Sequence, residues 1–92
     1  MLIVWQEERG KPFYRFQTDE RSLADKMKRR EKFTLTAVGL NYKLWIFIAE
    51  IARTDTAKKI IKTLSGGKAN FDSKNEIYYS ESKSSDSQKR VA

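Results

Sequence analysis

"NYKLWIFIAEIAR", residues 41–53, carries the strongest local signal in the chain, being apolar at every position from Leu44 to Ile51 except Glu50. A strand with one wet face alternates apolar and polar residues. This run therefore predicts a strand whose second face is also covered, by its own chain, by another copy or by a ligand. By parity, Leu44, Ile46 and Ile48 form one set and Trp45, Phe47, Ala49 and Ile51 the other. The branched aliphatic set suits a layer packed beneath helices, which would send Trp45 and Phe47 to the open face.

Upstream, "FTLTAVGL" (33–40) alternates as a strand, and Gly39 and Asn41 mark a hairpin loop into the run above. "TDERSLADKMKRREK" (18–32) predicts a helix capped by Thr18 or Asp19, with Leu23, Ala24 and Met27 on one face. "MLIVWQ" (1–6) and "PFYRFQ" (12–17) read as a hairpin turned at Gly10 and Pro12. Downstream, "TDTAKKIIKTLSGG" predicts a helix capped by Thr54 or Asp55. Its buried stripe is Ala57, Ile60, Ile61 and Leu64, and Gly66 is its stop. "KANFDSKN" reads as a loop and "EIYYS" (76–80) as a last short strand.

The order strand, helix, strand, strand, helix, strand, taken without "MLIVWQ", is that of a ferredoxin-like βαββαβ sandwich: α+β, an antiparallel sheet with two helices on one face. "MLIVWQ" is then an extra N-terminal strand, or takes the place of "EIYYS" beside "PFYRFQ". The domain is expected over 1–79. Residues 80–92 form a Ser/Lys-rich tail expected to be disordered, because it offers almost nothing to bury.

Composition narrows the chemistry. The chain has 92 residues, no cysteine and no histidine. Thiolate sites and imidazole acid–base chemistry are excluded, and a non-enzymatic protein without cofactor or metal is expected. The carboxylates Asp19, Glu20, Asp25 and Glu31 read as local partners on a cationic helix. "SGGK" (65–68) follows a helix and lacks phosphate-loop spacing, so it reads as a helix stop. The longest apolar run falls far short of the ~20 residues of a membrane helix, and the opening segment lacks a basic lead; a cytoplasmic protein is the expectation.

Nineteen basic against twelve acidic residues give a net charge of +7, which favours anionic partners. "KMKRREK" (26–32) is either a phosphate-contacting helix end or a solvated face. An open sheet face holding Phe13, Arg15, Trp45 and Phe47 would stack unpaired bases as RNA-recognition domains do. The likeness is of fold type only: "YKLWIFIAEI" lacks the glycine of their diagnostic strand, and Glu50 repels phosphate.

The expected function is binding of RNA or DNA through Phe13, Arg15, Lys28, Arg29, Arg30, Lys32, Lys43, Trp45 and Phe47. The alternative is a protein-interaction module: a homodimer, or an adaptor or inhibitor docking on a larger protein through the sheet face or an N-terminal edge strand. A small chain of this kind also fits the accessory proteins that mobile elements encode.

Overall fold

Short strands rich in aromatic and branched residues, broken by two amphipathic helices, fold into one antiparallel sheet with a helical layer. The computed structural model describes residues 1–39 and 43–80. In chain order the elements are β1 (Leu2–Gln6), β2 (Phe13–Thr18), α1 (Arg21–Lys28), β3 (Phe33–Val38), β4 (Trp45–Glu50), α2 (Thr54–Ser65), β5 (Asn70–Asp72) and β6 (Ile77–Ser80). The six strands lie in the order β3-β4-β2-β1-β6-β5, with every neighbour antiparallel.

This is an α+β domain whose six-stranded sheet is wider than the ferredoxin-like sandwich with one extra N-terminal strand expected above. β1 occupies the place beside β2, β6 pairs with the far side of β1, and β5 forms the outer edge. β1 is therefore interior, and the expected N-terminal edge strand does not exist. The segment read as a loop at 68–75 contains β5, whose three residues are too few to show a period. Ser80, assigned above to the tail, is buried at the end of β6 opposite Leu2. The expectation of a disordered tail otherwise falls on 81–92, outside the described residues.

Each turn has a local cause. Gly10, at φ 84°, makes the β1–β2 connection, which Gln6 closes by donating from Nε2 to the Lys11 carbonyl at 2.6 Å. Between β2 and α1, the fully buried Thr18 hydroxyl donates to the Met1 carbonyl at 2.7 Å and accepts the Glu20 N–H at 3.0 Å. Thr18 thus shapes the entry turn, while the N-cap position is Glu20 with no side-chain cap. Neither Thr18 nor Asp19 caps the helix as expected.

α1 stops at Lys28 rather than running to residue 32. Turns from Arg30 N–H to the Met27 carbonyl and from Phe33 N–H to the Arg30 carbonyl bring Phe33 down into the core. In α2 the N-cap is Arg53, also without a side-chain bond. Gly66, at φ 66°, ends that helix as expected, and the Gly67 N–H reaches the Lys62 carbonyl at 2.8 Å. At Gly39 a Cβ would lie 2.9 Å from that of Leu44, so only glycine allows the close approach of β3 and β4 there.

The core lies between the sheet and both helices. Leu23, Ala24 and Met27 of α1 and Ala57, Ile61 and Leu64 of α2 join Val4, Tyr14, Phe16, Phe33, Trp45 and Phe47 in one cluster. Phe33 packs on Phe16 and Phe47 with ring centroids 4.7 and 6.4 Å apart, a tilted arrangement that aromatic rings favour. The parity expected for β4 is thereby inverted: Trp45 is 7% exposed, Phe47 is fully buried, and Ile46 and Ile48 face outward. Charge explains this: Glu50, which shares the parity of Ile46 and Ile48, stays exposed at the end of the strand.

Candidate interaction surface

The face of the sheet away from the helices is built by register. One row crosses all six strands as Thr34, Ile48, Arg15, Trp5, Ile77 and Asp72. The next runs Ala37, Ile46, Gln17, Ile3, Tyr79 and Asn70, and Phe13 opposite Glu50 begins a third. A register shift between Leu35 and Ala37 turns Ala37 to this face, where plain alternation would have placed it inward. Apolar side chains flank Arg15 and Gln17 of β2 on this face: Ile3, Trp5, Ile46, Ile48 and Ile77 are half-buried, and Phe13 and Tyr79 are 41% and 42% exposed. No element among the described residues covers it.

Arg15, at the middle of the first row, is paired with Glu7. Its Nε and Nη2 both meet the Glu7 carboxylate, the second at 3.3 Å. The bond to Glu7 raises the guanidinium pKa further above its usual value, so it stays cationic. Its charge is locally answered, which leaves it less available to a phosphate. Phe13 stands between two shallow grooves. One is lined by Glu7, Glu8, Lys11, Arg15 and Ile48, the other by Glu31, Lys32, Thr34, Ile48 and Glu50.

The nine residues singled out from the sequence separate into distinct places. Phe13 and Arg15 are on the outer face as expected, and Lys32 reaches its rim. Lys28 and Arg29 are exposed where α1 ends, with Arg30 half-buried beside them. Lys43 is exposed at the opposite end of the sheet, because β4 runs from the Val38 side to the Phe33 side. Trp45 and Phe47 lie beneath the helices, so the stacking platform expected of them is withdrawn. Ile3, Trp5, Ile46, Ile48, Ile77 and Tyr79 take their place and were not singled out. The parity of Glu50 with Ile46 and Ile48 was the signal that could have found the two on β4.

A second concavity of about 210 Å³ opens between the inner sheet and the start of α2, lined by Arg9, Tyr14, Lys58, Phe71, Glu76 and Tyr78 among others. Arg9 is tied to Glu76 across its mouth. Among the described residues no three His, Cys, Asp or Glu side chains gather as a metal site would need, and no helix is long and apolar enough to cross a membrane. Comparison with known proteins returns no matching family model, no matching curated protein and no matching solved structure.

Proposed function

We propose that the chain is a protein-interaction module that docks through the outer face of its sheet. The observation that carries this reading is the composition of the face: Ile3, Trp5, Ile77 and Tyr79 on one side and Ile46 and Ile48 on the other of Arg15 and Gln17, rimmed by charges of both signs. Trp5, Phe13 and Tyr79 are outnumbered on the face by four isoleucines, whose side chains bury area against another protein but give a base no flat surface to stack on. Carboxylates at Glu7, Glu8, Glu31 and Glu50 on the same face would repel phosphates. Capture from a nuclease-treated lysate, with wild-type and Phe13→Asp chains as bait, tests it. A protein retained by the wild type and lost with Phe13→Asp is the expected result. An eluate containing nucleic acid and no protein would overturn it.

A second reading rests on the end of α1. Lys28, Arg29 and Arg30 there, with Lys32 at the rim of the sheet face, form no ion pair among the described residues, so their charge is open to an anionic polymer such as RNA or DNA. In that case the helical side binds and the sheet face does not. A ferredoxin-like ground plan is part of this proposal; the order β2-α1-β3-β4-α2 supports it, and β1 between β2 and β6 departs from it.

A further inference from the structure

We infer that the occupant of the outer face is a second copy of this chain, packed sheet on sheet about a two-fold axis; the inference rests on reading that face as a docking surface. A two-fold interface presents one patch to itself, so knob and hole must lie on the same surface. They do here. Phe13 projects between two grooves that share Ile48 as their floor, and a partner's Phe13 has a groove to enter on either side.

Charge agrees with self-pairing. The chain as a whole carries 19 basic and 12 acidic residues. The two grooves are lined by four acids and three bases, so this patch is where the cationic excess is missing. Two copies can meet there without bringing the cationic excess of one against that of the other.

Area agrees as well. Six strands spaced about 4.8 Å apart, rising about 3.3 Å per residue, make a face of about 500 Å². Two such faces hide on the order of 1,000 Å², the lower bound for a specific interface. A dimer of that size is reversible and depends on concentration. The segment 81–92, "ESKSSDSQKRVA", has Val91 as its one hydrophobe larger than alanine and cannot supply an apolar cover. Pairing edge to edge through β3 is opposed by the register shift at Leu35 and Ala37, which interrupts the ladder a second strand would extend.

The test uses the full chain freed of nucleic acid. Light scattering after size exclusion, over a concentration series, is expected to move from monomer toward twice the monomer mass. Phe13→Asp is expected to weaken the dimer about tenfold or more while leaving circular dichroism unchanged. Because the chain has no cysteine, single-cysteine variants report geometry directly. With a bismaleimide spanning about 10 Å, the separation of packed sheets, Ile48→Cys is expected to cross-link and the helix-surface variant Lys59→Cys is not.

A monomer at every concentration overturns the inference, as does a dimer that persists in Phe13→Asp or cross-links through Lys59→Cys. If that monomer still captures a protein in a Phe13-dependent way, self-pairing alone has failed. If capture is lost too, the docking surface itself has failed.

Discussion

Along β4 the only ionised side chain is Glu50, two residues from Ile48 and four from Ile46. A carboxylate left beneath the helices would lose its water without a cationic partner, a cost of several kcal/mol, so Glu50 turns outward and takes both isoleucines with it. Trp45, Phe47 and Ala49 then fill the core, where Phe47 opposes Phe16 and the small Ala49 makes room for Phe33. Phe47→Ala is therefore expected to lower unfolding free energy by about 3–5 kcal/mol in urea titration. Ile48→Ala, at a half-exposed position, should cost clearly less than half as much. Equal losses would contradict the assigned parity. The outward placing of Phe13 and Arg15 on β2 was legible in the sequence, and Tyr14 and Phe16 are buried by the same alternation. On β4 the single charge of Glu50, not the shape of the neighbouring side chains, decides which face is buried.

Elements with a strong period or a stop signal were legible, and those shaped by tertiary packing were not. The stripe of α2 and its glycine stop can be read locally, whereas the early end of α1 is imposed by Phe33 entering the core. β5 belongs to the second kind. It exists because β6 pairs with β1 and leaves a free edge, and its turn is held by Asp72. Oδ1 of Asp72 accepts the Lys74 N–H at 3.0 Å and the Asn75 N–H at 3.3 Å, and Oδ2 accepts Asn75 Nδ2 at 2.8 Å.

These bonds favour the ionised carboxylate and hold its pKa below 3.8, with the Asn75 side chain the largest cause. Because the folded value is the lower one, the stabilisation is complete above the unfolded pKa and fades as pH falls through the folded one. The Lys74 and Asn75 amide resonances are expected to titrate together with a midpoint below 3.8. Asp72→Ala should abolish that titration and speed amide exchange in β5 and β6 while leaving β3 and β4 protected. A midpoint at or above the ordinary carboxylate value would show that the turn does not depend on this charge.

The whole molecule has two unlike sides. One is a sheet face with apolar rows and balanced charge. The other is a helical layer carrying Lys28, Arg29, Lys58, Lys59 and Lys62, all exposed. The net charge of +7 therefore opposes the approach of two copies at long range without sitting at their contact. Salt acts oppositely on the two functional readings. Raising it from about 0.05 to about 0.5 M shortens the screening length to a few ångströms, which removes the mutual repulsion of the helical sides and leaves apolar burial intact. Dimerisation measured by light scattering or analytical ultracentrifugation is expected to strengthen several-fold over that range. A complex of the helical side with single-stranded nucleic acid would weaken instead, with a log–log slope of about −0.7 per phosphate contacted. Self-association that weakens with salt would mean that ion pairs, rather than Phe13 and the isoleucine rows, hold the copies together.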